Sequence, residues 1–507
     1  MGRKVAIFWP GDYRSQPNQA ALPHVEEATL QIEKSLAKLG RESYRIENFL
    51  TKPHEAIERL GPIDDPMIGV YVHWVYGTNT VYGVVGKNNP LLLASNFSGT
   101  WPGLVGLLNT SACLESLGRE FSRLWSDAED WTTDRDFMER LDEWCTTGRI
   151  DYSKDEISYH APVSVEATSR ADAVLSHIHK RRILALMLGD TSMGMINAYF
   201  GPRLLSKIGF AEQKVDQAWL LDRGKSIPEK RINDALAFVK DKGIIFHYRE
   251  TGAEDFDEKA TREQLRDYLV VLDMVNEFKA DCVGWQYQLG LLPLRPPSDF
   301  AEGLLNSVCR PESSGDTIVD STEADQGNLV SMELMKRLLK AKGLHQAVMF
   351  HDVRWGIDHD GRFAWVLLNS GSCSAYAFNH EPRTLRGVHS FRQPAMYFPI
   401  PGGTFTGECL PGGITWSRAW LKGEELWMDI GKGKVIALPQ EKRDALWSAT
   451  NREWPLMVAD MGVRQDTLMA HYMSNHVAVA YGDIFDEMVA LCQSLGFRIR
   501  ILHGGHK

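Results

Sequence analysis

"KVAIFWPG" (Lys4–Gly11), followed by "VEEATLQIEKSLAKLG" (Val25–Gly40), decides the fold class. The first run is short, apolar and rich in strand formers, and it ends in a Pro-Gly turn. The second sets apolar residues at helical spacing and stops at Gly40. A buried strand feeding a helix is the unit of an open parallel sheet. The rhythm repeats in "MIGVYVHWVYG" (67–77) and "PLLLASNF" (90–97), two further strand candidates, and in a helix within "TWPGLVGLLNTSACLESLG" opened by Pro102.

A polar, Trp-dotted stretch from about Trp125 to Val165 reads as an excursion or connector. A second αβ series follows, with helix "RADAVLSHIHK", strands "RILALMLGD", "KGIIFHYRE" and "DCVGWQY", and the strongly periodic helix "TREQLRDYLVVLDMVNEFKA". After about His345 short strand candidates alternate with Gly/Pro turns, an antiparallel β signature. The reading is an α/β chain with an N-terminal αβ domain (1–165), a second αβ domain (166–345) and a β-rich C-terminal domain (346–507).

The length of 507 residues suits about two to four domains. A net charge of −10 without a Lys/Arg block argues against a nucleic-acid partner. No apolar run approaches the roughly 20 residues that span a bilayer, and the N-terminus lacks a signal-peptide pattern, so a cytoplasmic protein without a membrane partner is expected. The seven cysteines form no C-x-x-C and are expected to be buried free thiols, not disulfides or a zinc knuckle.

Four segments carry candidate chemistry, each with an ordinary alternative. In "STEADQGN" Glu323 precedes a helix, where acidic residues also serve as caps. In "MFHDVRWG" Asp352 ends an apolar strand, where an Asx-turn is the plain reading. "AHYMSNHVAVAYGD" holds His471 and His476, and a satisfied core histidine is the usual explanation. "HWVYGTNT" offers Trp74 as a stacking face for a sugar, or as core packing. One Glu, one Asp and one His make a hard donor set that leaves positions open on octahedral Mn²⁺ or Mg²⁺. Neither the P-loop nor the dinucleotide pattern occurs in "GDTSMGMINAYFGP".

Taken in order, "HWVYGTNT…ASNFSGTWPGLVGLLNTSACLESLG", "LGDTSMGM", "STEADQGN", "MFHDVRWG", "MYFPIPGGTFTGECLPGGITWSRAWLKG" and "SNHVAVAYGD" resemble the L-fucose isomerase family, metal-dependent aldose–ketose isomerases related in fold to L-arabinose isomerase. The resemblance implies two Rossmann-like αβα sandwiches followed by a mainly antiparallel, barrel-like domain. It implies that Glu323, Asp352 and His476 bind the metal, Mn²⁺ or another divalent cation such as Mg²⁺ or Co²⁺. It further implies that Arg14, Trp74, Gln286 or Gln288, and Asn475 border the substrate. "GWQYQLG" departs from the family's wording there, which bears on sugar specificity. In the family Trp74 would reach from one subunit over the site of another, in a hexamer.

The chemistry so implied moves a proton between C1 and C2 of an open-chain hexose or deoxyhexose through a cis-enediol, with Glu323 and Asp352 as catalytic groups and His476 as a neutral ligand needing a partner on its other nitrogen. Two alternatives stand beside it. One is an isomerase of a 6-modified hexose such as sulfoquinovose (to 6-deoxy-6-sulfofructose), with its anion met by basic groups around His359–Arg362, Arg354 or His471. The other is a non-catalytic sugar-binding protein on the same fold.

Overall fold

The computed structural model describes residues 4–98, 101, 103–190 and 193–502. Gly99, Thr100 and Pro102 of the N-terminal segment, Thr191 and Ser192 of the S-M-G turn, and the terminal "HGGHK" lie outside the described residues.

Strands β1 (Val5–Pro10), β2 (Ser43–Leu50), β3 (Met67–Tyr71), β4 (Leu91–Asn96) and β5 (Ser122–Ser126) form a parallel sheet in the order β2-β1-β3-β4-β5. The central strands β1, β3 and β4 are buried almost throughout, as expected where helices cover both faces. The first helix, Ser15–Lys38, starts ten residues before the periodic run and passes through Pro23. It ends as its glycine requires: Gly40 is left-handed (φ 70°) and the Arg41 N–H returns to the Leu36 carbonyl at 2.9 Å. Strand order reverses between β1 and β3, so a crevice opens at their carboxyl ends. Arg14 lies just beyond β1, and His73 and Trp74 just beyond β3. The stretch expected to be a connector starts instead with the end of β5 and the helix Arg135–Thr147, which complete this layer.

A short strand, β6 (Ile157–Ser158), then leaves for the C-terminal sheet. Strands β7 (Ile183–Leu188) and β8 (Phe210–Val215) belong to a second parallel sheet. The expected strand around "KGIIFHYRE" is only the two-residue β9 (Ile245–Phe246). Strands β10 (Cys282–Trp285) and β11 (Val319–Thr322) complete the second sheet in the order β11-β10-β7-β8.

Strands β12 (Val348–His359) and β13 (Arg362–Leu368) open the C-terminal part. The short β14 (His389–Ser390) pairs with β9. Strands β15 (Gly412–Lys422), β16 (Glu425–Val435), β17 (Leu456–Asp460) and β18 (His476–Tyr481) come next. Antiparallel pairing runs β15-β18-β12-β13-β17-β16 and returns from β16 to β15, which closes a six-stranded barrel. The last strand, β19 (Arg498–Leu502), lies parallel to β16 and pairs with β6. The α/β architecture with two parallel sheets and a barrel-like end is therefore the one expected. Asp352 departs from expectation: it lies within the twelve-residue β12 and not at its end, just before a register shift between Val353 and Trp355.

The helix Gln326–Ala341 is wedged between the second sheet and the barrel. Gly327 permits that approach, because a Cβ there would meet the Ala419 carbonyl of β15 at 2.5 Å.

Candidate active site

The antiparallel register of β12 and β18 puts Asp352 directly opposite His476. Asp352 Oδ1 lies 3.5 Å from His476 Nε2. Glu323 comes from the turn after β11 and its Oε2 lies 3.8 Å from the same nitrogen. Glu323 and Ala324 are both left-handed (φ 62° and 54°), an unfavourable backbone for residues with a Cβ. The next residue pins the turn to the helix: Asp325 Oδ1 accepts from the Asn328 N–H at 2.9 Å as its N-cap. Capping, the ordinary reading of Glu323, is thus done by its neighbour.

Asp325 has a second task. Its Oδ2 accepts from Nδ1 of His476 at 2.8 Å and from Nη1 of Arg418 at 2.6 Å, and both Asp325 and Arg418 are fully buried. Burial opposes the Asp325 charge, yet the Arg418 guanidinium and His476 hold its carboxyl well below the usual range. With Nδ1–H committed, Nε2 is left facing Glu323 and Asp352. Burial lowers the His476 pKa, but Asp325, Asp352 and Glu323 outweigh it and raise the net value.

Burial pushes the Glu323 carboxyl up to about 8, with Asp352 adding to the rise and His476 opposing it. Glu323 Oε2 is buried and has no hydrogen-bond partner. An oxygen so placed calls for a proton or a cation. Ligands about 2.1 Å from a small divalent ion stand about 3 Å apart when adjacent and about 4.2 Å apart when opposite, and 3.5 and 3.8 Å fall in that interval. Two carboxylates and an imidazole anchored by a carboxylate suit such an ion.

These three residues line one pocket with Arg14, Trp74 and Gln288. Arg14 donates to both carboxylate oxygens of buried Asp12, at 2.9 and 2.7 Å, and reaches Gln288 Oε1 at 3.4 Å. The buried indole N–H of Trp74 has no partner. Trp74 lines the pocket of its own chain. Gln286 is not among the lining residues, because its side-chain oxygen takes a hydrogen bond from Gln217. Asn475 sits behind Asp352, donating to Oδ1 at 3.4 Å, and its own Oδ1 is unpartnered. His471 is turned to the Ser153 carbonyl, 2.7 Å away, and lines a different cavity.

Arg354, offered by the sequence as a basic group for an anion, lines the pocket, as do Tyr287, Tyr397 and Trp454, which the sequence reading missed. Arg354 is two positions beyond Asp352, the spacing that keeps one strand face, so its place was readable. Tyr397 and Trp454 arrive on loops and carried no such signal.

Fold and pocket define a two-sheet αβ protein with a closed barrel and a carboxylate–imidazole centre between them. Residues 367–503 match the family described as L-fucose isomerase, C-terminal domain. The chain is similar to an L-fucose isomerase of Vibrio vulnificus (27% identical over 252 residues, 42% of each chain). It is also similar to one of Haemophilus influenzae (24% over 390 residues, 64% of this chain and 65% of the relative). The chain is thus similar to L-fucose isomerases over part of its length, and it spans 42% and 65% of the length of these curated relatives.

Proposed function

We propose that this protein is a metal-dependent aldose–ketose isomerase acting on an open-chain hexose or deoxyhexose through a cis-enediol. The observation that carries the reading is the approach of the Glu323 and Asp352 carboxylates to one imidazole nitrogen whose partner nitrogen is locked by Asp325. A divalent ion held by Glu323, Asp352 and His476, of which Mn²⁺ is our choice, would supply Lewis acidity to two adjacent sugar oxygens.

The rest of the work belongs to the chain. A carboxylate of the Glu323–Asp352 pair takes the proton from C2 and returns it to C1 on the same face, and the other moves a proton between the oxygens. With the ion bound, the carboxylates are held ionised, so their strength as bases comes from placement against C1 and C2. Trp74 offers an apolar face and a free N–H to the sugar, and Gln288 stands with Arg14 at the far side. A non-catalytic sugar receptor has no need of a buried, unpartnered carboxylate oxygen at this position.

A second reading, an isomerase of a 6-modified hexose carrying an anion, is favoured by Arg354. Its guanidinium stacks on Trp454 at 5.2 Å and lies 3.6 Å from Asp352 Oδ2, while Arg14 is already matched by Asp12. With Asp352 on a metal, the Arg354 charge is free to meet a sulfonate or phosphate.

The same proposal includes domains bounded near 165/166 and 345/346, a cytoplasmic location and a homo-oligomer, the hexamer of the resemblance. Among the described residues no helix is long and apolar enough to cross a membrane. The deciding experiment incubates the protein with an aldose panel, including 6-modified hexoses, in D₂O with Mn²⁺ or with EDTA. Deuterium at C1 or C2 of an isomerised sugar, lost with EDTA, is the expected result. Cleavage products or no exchange with any aldose would overturn the reading.

A further inference from the structure

The strand that presents Asp352 to the pocket presents His351 to its other face. There His351 meets Cys373, from the loop after β13, and Cys409, from the segment before β15. Their donor atoms all lie within 4.8 Å of one another. All seven cysteines are free and buried, as the sequence suggested, but two of them are brought together here. His351 is fully buried and neither of its ring nitrogens has a hydrogen-bond partner. The thioether of Met349, on the same face of β12, is 3.3 Å from the Cys373 sulfur.

We propose that His351, Cys373 and Cys409 form a second, structural metal site that takes Zn²⁺. Nitrogen and sulfur donors select a soft or borderline ion and reject Mn²⁺ or Mg²⁺, which suit the oxygen-rich pocket. Around tetrahedral zinc, sulfur at about 2.3 Å and nitrogen at about 2.0 Å stand about 3.5–3.8 Å apart, which fits inside the observed cluster. Charge decides between the thiophilic ions. Two thiolates and a neutral imidazole carry −2, so Zn²⁺ leaves a neutral centre, whereas Cu⁺ leaves a buried negative charge. Binding expels the two thiol protons to solvent, forms two Zn–S bonds and one Zn–N bond, and changes no oxidation state. Met349 stands as a weak fourth donor. The ion would tie β12 to the segments before β15 and after β13, and so fix the strand that carries Asp352.

The test uses the full-length protein. Titration with Co²⁺ in place of zinc is expected to give the near-ultraviolet thiolate-to-cobalt charge-transfer band in wild type and in Glu323→Gln alike, since no cysteine lines the pocket among the described residues. Cys373→Ser and Cys409→Ser are expected to lose it. Should those variants fail to fold, X-ray absorption of the zinc-loaded wild type is expected to show sulfur scatterers at about 2.3 Å. A cobalt spectrum without the band, a zinc shell of oxygen and nitrogen only, or a Cys373–Cys409 disulfide in the purified protein would overturn the assignment.

Discussion

Asp325 Oδ2 accepts the Nδ1 proton of His476 at 2.8 Å across a sequence separation of 151 residues. That one bond selects the imidazole tautomer and aims Nε2 into the pocket. Replacing Asp325 by Asn keeps an acceptor but removes the charge that also holds buried Arg418. Metal affinity is expected to fall about 10- to 100-fold. Loss of the buried pair is expected to cost about 3–5 kcal/mol of stability. Calorimetric titration with Mn²⁺ and thermal melts check both. Unchanged metal affinity in a folded Asp325→Asn protein would remove the positioning role given to this carboxylate.

Glu323 makes the metal-free protein sensitive to pH in a definite direction. Its folded value, about 8, lies above the usual 4.5, so its contribution to stability is full below about pH 4.5 and is lost as pH rises through 8. His476, also raised, works in the same direction. In EDTA the stability of the wild type is expected to decline over that window, by at most roughly 1.4 kcal/mol per pH unit from this one group. Glu323→Gln is expected to flatten the decline and to abolish isomerisation without unfolding the protein. The gain in melting temperature from Mn²⁺ should grow with pH, because the ion competes with protons for the same atoms. Urea midpoints from pH 5 to 9 provide the measurement, and equal slopes in wild type and variant would contradict it.

The sequence carries the central strands well and the edge strands poorly, for a physical reason. β1, β3 and β4 are covered on both faces and read as apolar runs, whereas β2 ("SYRIENFL") and β8 ("FAEQKV") lie at sheet edges and are half exposed. β5 hides a buried arginine: Arg123 bonds the carbonyls of Met469 and Tyr472, at 2.9 and 2.8 Å, so its sequence looked polar. At the site, a carboxylate beside a helix start was visible, but the division of labour between Glu323 and Asp325 was not. It depends on two left-handed residues in succession, neither of them glycine. The pairing of Asp352 with His476 is a matter of barrel register, which no local pattern encodes.

Trp74 lines the pocket of its own chain, and complementation tests whether that is the pocket it serves. Trp74→Ala is expected to raise KM about tenfold through loss of stacking and of the indole N–H, with a smaller effect on kcat, and Trp74→Phe to fall between. Glu323→Gln and Trp74→Ala subunits, co-expressed and purified together, are expected to show only the activity of the Trp74→Ala component at low substrate. Recovery toward wild-type KM in the mixture would mean that the indole is delivered across a subunit boundary after all.

Arg354 separates the two substrate readings. Its guanidinium is partly buried against Trp454 and contacts Asp352 at 3.6 Å, a loose ion pair that a metal on Asp352 would loosen further. A hydrogen bond to a charged group contributes about 1.5–3 kcal/mol, or about 10- to 100-fold in kcat/KM. If the substrate carries an anion at C6, Arg354→Gln is expected to lower kcat/KM for it by that factor while changing a neutral aldose less than about threefold. Lys at this position keeps the charge but loses the planar stacking, and is expected to recover part of the loss for the anionic sugar only. Equal losses on neutral and anionic aldoses would assign Arg354 to holding Asp352 in place, and would leave the neutral deoxyhexose as the substrate class.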